Sequence, residues 1–133
     1  MCFDLVRTDN TNLKFFYQLV DKLNSLYLKK KNVKYNKQEI EKIIPHRDPF
    51  LLIDEILDFK EGKYVHAIKY VDERENYFQG HFPEEPVMPG VLQLETMAQV
   101  GGVLILSTVN NPKDYLTFFM KIDNAKFKKK IVP

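Results

Sequence analysis

The sequence predicts one α+β domain in which a pair of strands precedes a long apolar helix and further strands follow it. Residues 50–59 and 63–72 read as two strands joined by the turn residues Glu61 and Gly62, the signature of a hairpin. Residues 90–109 are long enough for a helix of about 30 Å and are apolar on nearly every side, so that helix is expected to be buried. The 133 residues, 44% of them hydrophobic and 13% aromatic, supply material for one modest core and not for two.

Along the chain, residues 12–28 place Leu13, Phe16, Tyr17, Val20, Leu23, Leu26 and Tyr27 at helical spacing, with Lys14, Asp21 and Lys22 left for solvent. This predicts an extra N-terminal amphipathic helix that packs its stripe on the domain rather than anchoring in a membrane. Lys29, Lys30 and Lys31 end it, so residues 1–35 read as an extension and residues 36–133 as the domain. Asn36 followed by Glu39 has the form of a capping box opening a short helix through Ile44, which Pro45 terminates. His66, alone within the second strand, is given no role. Asn110, Asn111 and Pro112 form a loop, and residues 115–122 and 125–132 read as further strands separated by Asp123 and Asn124.

Composition narrows the function. Twenty basic against eighteen acidic residues give a net charge of +2, too balanced to imply a nucleic-acid partner. Cys2 is the only cysteine and falls in what should be a frayed terminus, so neither a disulfide nor a thiolate metal cluster can form within one chain. A reducing, cytoplasmic compartment is expected. Residues 1–10 carry Asp4 and Asp9 and no apolar run of signal length, which disfavours a secretory signal and, less firmly, an organellar presequence. The 90–109 helix is interrupted by Gln93, Glu95, Thr96, Gln99 and the Gly101-Gly102 pair, so a membrane span is not expected.

Between Pro86 and Pro112 the only ionisable side chain is Glu95, in the second turn of the apolar helix. An unpaired buried carboxylate is costly, so it must find a partner, open to a cavity, or stay protonated, and each state suits an acid catalyst. Position alone is equally compatible with a structural glutamate favoured by the helix dipole. The loop upstream, residues 78–90, packs three prolines before Gly90 and is too stiff for a regular helix or central strand. It presents His81 between Gly80, where another chain could approach closely, and Phe82, which makes the surroundings apolar. Histidine is the side chain able to act as a base near neutral pH. Pro89 suits the first helical position, and the free N–H groups of Gly90, Val91 and Leu92 would then form a site for developing negative charge. Gly90 would leave room there for a substrate oxygen.

The run Gly80-His81-Phe82-Pro83, Met88-Pro89-Gly90-Val91, Leu94-Glu95 and Met97-Ala98-Gln99 closely resembles the FabZ-type 3-hydroxyacyl-[acyl-carrier-protein] dehydratases. Ile44-Pro45-His46-Arg47, Pro49-Phe50-Leu51-Leu52 and Asp54 match that family's opening motif, so the likeness covers residues 40–133. The resemblance implies a hot-dog fold, an antiparallel sheet wrapped around the long helix, assembled as a homodimer or trimer of dimers. It further implies that His81 and Glu95 are a catalytic pair drawn from different subunits, and that the Gly90 amide holds the thioester carbonyl. Glutamate at position 95, where the related dehydratase-isomerase branch carries aspartate, favours plain dehydration. Against the family pattern, the first thirty-odd residues have no counterpart and the strands beyond Pro133 are absent, as in a fragment or a truncated gene.

The reaction so implied converts a 3-hydroxyacyl thioester on acyl carrier protein to the trans-2-enoyl thioester, with no cofactor beyond the carrier's own phosphopantetheine and no metal. Phe78, Phe82, Met88, Leu92 and Phe118 are candidates for the wall of the acyl tunnel. Lys126, Lys128, Lys129 and Lys130 read either as a solvated strand face or as a docking site for the acidic carrier protein. Two other functions compete: a hot-dog acyl thioesterase, and an inactive truncated scaffold or partner subunit. The pathway, fatty acid or lipid A precursor, is not legible.

Overall fold

A computed structural model describes residues 2–4 and 33–133 of the chain. The expected amphipathic helix over residues 12–28 lies outside the described residues. In order, the elements are β1 (Cys2–Asp4), a short helix α1 (Lys37–Ile40), β2 (Glu55–Lys60), β3 (Tyr64–Ile68), a 3-10 turn (Asn76–Gln79), the long helix α2 (Gly90–Leu106) and a second 3-10 turn (Pro112–Asp114).

β2 and β3 form the expected hairpin. Gly62 takes φ +62°, a conformation open to glycine without the Cβ penalty, and the Lys63 N–H closes the turn on the Lys60 carbonyl at 2.9 Å. The strands are shorter than expected, 55–60 and 64–68 in place of 50–59 and 63–72. Residues 51–53 are buried outside the strand: the Leu51 N–H donates to the Arg47 carbonyl at 2.9 Å and the Leu52 N–H to Gln99 Oε1 of α2 at 2.8 Å. The sheet order is β1-β3-β2, all antiparallel, with Cys2 opposite Ile68 and Asp4 opposite His66. The start of the chain is therefore a paired strand and not a frayed end: β3 would otherwise offer an open row of amides and carbonyls.

The capping box is formed as expected: Asn36 Oδ1 accepts from the Glu39 N–H at 3.1 Å, and Glu39 Oε2 from the Asn36 N–H at 2.7 Å. α1 itself spans one turn and continues as looser turns toward Ile44.

The core joins Ile40 and Ile44 after the cap, Leu51 and Ile53, the hairpin residues Ile56, Val65 and Ala67, and Val100, Val103 and Leu106 of α2. Each of these larger aliphatic side chains contributes about 1.5–3 kcal/mol on burial. α2 buries one face only, through Thr96, Gln99, Val100, Gly102, Val103 and Leu106. Val91 and Ile105 remain 71% and 60% exposed, so the expectation of a wholly buried helix is corrected: one small sheet covers one side of it. α2 ends at Leu106 and residues 107–109 continue as turns. No helix among the described residues is long and apolar enough to cross a membrane.

Residues 115–122 and 125–132, expected as strands, are extended without strand pairing. Apolar alternation prepares a strand, but a strand exists only when a neighbour takes its backbone groups, and no described strand lies beside these segments. One tie remains, from the Met88 N–H to the Ile131 carbonyl at 2.8 Å.

Candidate active site

His81 is presented by a loop closed on itself. The His81 N–H donates to the Tyr77 carbonyl at 2.9 Å, Val87 N–H returns to the His81 carbonyl at 3.0 Å, and Phe82 and Glu85 exchange backbone bonds of 3.2 Å. Upstream, the nearly buried Lys69 ammonium pairs with Glu75, which precedes the 3-10 turn leading to His81. Removing one partner from so buried a pair costs about 3–5 kcal/mol, so this ion pair anchors the root of the loop. Gly80 faces open space, as a site of close approach requires.

The imidazole stacks on Phe82 with centroids 4.1 Å apart, and its Nδ1 lies 2.7 Å from the Val87 carbonyl. A carbonyl can only accept, so Nδ1 carries a proton, and in the neutral ring the lone pair is therefore on Nε2. His81 is thereby held in the tautomer of a base, opening on a cavity of about 330 Å³ together with Val87, Met88, Gly90, Gln93, Phe127 and Lys128–Lys130.

At the start of α2, Pro89 is the N-cap, with ψ 134°, and not the first helical residue as expected. The helix therefore begins at Gly90. The Leu92 N–H turns back to the Pro89 carbonyl at 3.0 Å, so among the described residues the Gly90 and Val91 amides are the pair without a partner, instead of three. The space in front of Gly90 is filled by the Phe127 ring, which a Cβ at position 90 would meet at 3.0–3.1 Å.

Glu95 faces elsewhere. Its Oε1 accepts from Gln99 Nε2 at 3.0 Å and lies 3.5 Å from His46 Nε2. It lines a second cavity, of about 520 Å³, with Pro45, His46, Ala98, Gln99, Gly101, Gly102, Ile105 and residues 116–119. Of the three states open to a carboxylate in an apolar helix, this one has found both a partner and a cavity. Within one chain, then, His81 and Glu95 are not brought together.

The candidate tunnel residues divide. Met88 is buried beside His81, and Phe118, 80% exposed, lines the Glu95 cavity. Phe78 is buried against Tyr77, Phe82 is the stacking partner of His81, and Leu92 is half-buried; these three line neither cavity. Lys128, Lys129 and Lys130 edge the His81 cavity, and Lys130 pairs with Glu85 at the surface, where such a pair is worth 1 kcal/mol or less, roughly.

Three site residues were not foreseen from the sequence. Gln99 follows Glu95 by four positions, the spacing at which helix side chains meet, so that contact was readable. His46 carried a signal only as a histidine in the opening motif, and Phe127 carried none.

Residues 44–133 match the family model of the FabA-like domain. The chain is 54% identical over 96 residues to the 3-hydroxyacyl-[acyl-carrier-protein] dehydratase FabZ of Geobacillus thermodenitrificans, covering 72% of this chain and 66% of that protein. It is 52% identical over 99 residues to the FabZ dehydratase of Vibrio parahaemolyticus, covering 74% and 66%. It is also 53% identical over 94 residues to the bifunctional enzyme LpxC/FabZ of Bacteroides thetaiotaomicron, covering 71% and 20%. The chain thus spans a fifth of the length of that bifunctional relative and just under two thirds of the two dehydratases.

Proposed function

Because the chain belongs to the FabA-like domain family, we propose that it works as a 3-hydroxyacyl-acyl-carrier-protein dehydratase in fatty acid biosynthesis. The proposed active unit is a two-fold dimer of the hot-dog type, alone or as a trimer of dimers, in which His81 of one subunit faces Glu95 of the other. The observation that carries this reading is the state of the two side chains. Each is held on one side by its own chain, His81 by the Val87 carbonyl and Glu95 by Gln99, and each opens on a different cavity.

In the proposed reaction, the thioester carbonyl accepts a hydrogen bond from the Gly90 N–H once Phe127 has moved aside. His81 Nε2 takes a proton from C2, and charge develops on the thioester oxygen. Glu95 gives its proton to the 3-hydroxyl, the C3–O bond breaks, and water and the trans-2-enoyl thioester leave. One proton has passed to His81 and one has left Glu95, so the balance closes without electron transfer or any cofactor beyond the carrier's phosphopantetheine. The acyl chain lies along the apolar cavity beside Glu95, and Lys128–Lys130 beside His81 draw in an acidic carrier protein. The cytoplasm is the proposed compartment.

The test is incubation of the purified chain with a 3-hydroxyacyl thioester, following enoyl absorbance and product mass. Loss of water supports the reading. Release of a free acid would make the chain a thioesterase, and a well-formed dimer without turnover would make it a scaffold or partner subunit.

A further inference from the structure

Building on the dehydratase reading, we propose that His46 is a positioning residue for Glu95: its Nε2–H and the Gln99 amide fasten one carboxylate oxygen, Oε1, so that Oε2 is the oxygen that delivers the proton. Both hydrogens of the Gln99 amide are committed, one to the Phe50 carbonyl at 2.8 Å and one to Glu95 Oε1 at 3.0 Å, while its oxygen accepts from the Leu52 N–H at 2.8 Å. A flipped amide would set its oxygen against the Phe50 carbonyl, so the orientation is fixed. Oε1 therefore always faces an N–H donor. With Gln99 and His46 both directed at Oε1, a proton there would compete with those donors for its lone pairs, so the acid form of Glu95 favours Oε2, which has no partner among the described residues.

His46 completes the arrangement. Its Nδ1 is buried with no hydrogen-bond partner among the described residues, and a proton there would be a buried donor without an acceptor. The proton of the neutral ring accordingly sits on Nε2, the atom 3.5 Å from Glu95 Oε1. Such contacts are long in unliganded sites and tighten when substrate binds. The ring also stacks on Phe50 with centroids 6.4 Å apart, so the residue whose carbonyl orients Gln99 also backs His46. Arg47 holds the turn by donating to the Ile44 and His46 carbonyls at 3.0 and 2.7 Å. Among the described residues, the lining of this cavity contains no titratable group besides His46 and Glu95; in the proposed dimer the partner subunit's His81 is the third.

A donor on Oε1 favours the carboxylate, whether His46 is neutral or charged. Removing it therefore raises the pH at which Glu95 loses its proton. Three measurements test this. In wild-type protein, ring ¹⁵N shifts of His46 should report the Nε2–H tautomer. His46→Leu should lower kcat about ten- to a hundredfold with little change in KM, and should move the basic limb of kcat and the ¹³C titration of the Glu95 carboxyl to higher pH. His46→Gln, which returns a neutral donor near the Nε2 position, should restore most of kcat and bring both titrations back.

An Nδ1–H tautomer overturns the proposal, and so does His46→Leu with an unmoved carboxyl titration. Equal losses in both variants with unmoved titrations assign His46 to packing alone, which also overturns it. The two NMR measurements need no turnover. If the wild-type chain does not dehydrate, the function fails while the carboxyl titration still decides the role of His46.

Discussion

His81 and Glu95 line different cavities of the same chain: the histidine beside Gly90 and Phe127, the glutamate beside His46 and Gln99. For the proposed dehydration, His81→Ala and Glu95→Gln should each reduce enoyl formation by about 10²–10⁴-fold. Circular dichroism should show the fold intact, since His81 and Glu95 are only half-buried. Turnover retained in either variant would remove that residue from the mechanism.

The separation also predicts complementation. Inactive His81→Ala and Glu95→Gln chains, unfolded and refolded together in equal amounts, should form mixed dimers with one intact site. Half the dimers are mixed and each has one working site of two, so activity should return to about a quarter of wild type. Mixed dimers demonstrated by mass spectrometry but inactive would place both residues in one subunit's site.

Gln99, 1% exposed, satisfies the Leu52 amide and the Phe50 carbonyl from within the helix. Gln99→Leu keeps the volume and strands both backbone groups, so stability should fall by about 2–4 kcal/mol in denaturant unfolding. A change within about 0.5 kcal/mol would mean that water or a rearranged loop replaces the amide.

Burial raises Asp54 above its ordinary 3.8, against the opposing pull of the Tyr70 N–H and the Lys69 ammonium. A raised carboxyl favours its protonated form in the folded state. The stability it contributes is present below 3.8 and is lost as pH rises through the raised value. Asp54→Asn should therefore flatten the pH dependence of stability on the basic side of 3.8, read as the difference between the two unfolding series. Parallel series would contradict the shift.

The Phe127 ring fills the space that a methyl group at position 90 would need, with contacts of 3.0–3.1 Å. Gly90→Ala should destabilise by about 1–2 kcal/mol, and Phe127→Ala in the same chain should recover much of that. Additive effects in the double-mutant cycle would show that the ring does not rest on Gly90.

The legible elements were those determined by neighbours in sequence. Asn36 with Glu39, Gly62 in its turn and the apolar run after Pro89 each depend on bonds or sterics spanning a few residues, and each is where it was expected. The strand expectations at residues 115–122 and 125–132 failed because alternation states which side of a strand would be apolar, not whether a partner is there to pair with it. Glu95 was legible because a lone charge in an apolar helix demands an explanation, and His81 because a proline-stiff loop presents it.

What the sequence by itself determined is the inventory: a base, an acid and free amides within fifteen residues, borne on a stiff loop and the helix that follows it. Tertiary structure alone decided which groups meet. His46 reaches Glu95 across forty-nine positions, Gln99 secures the Leu52 amide, Phe127 covers Gly90, and His81 and Glu95 open on different cavities. The physical reason is range. Caps and turns are settled by bonds between near neighbours, whereas the surroundings of a carboxylate are settled by the core that brings distant segments against it.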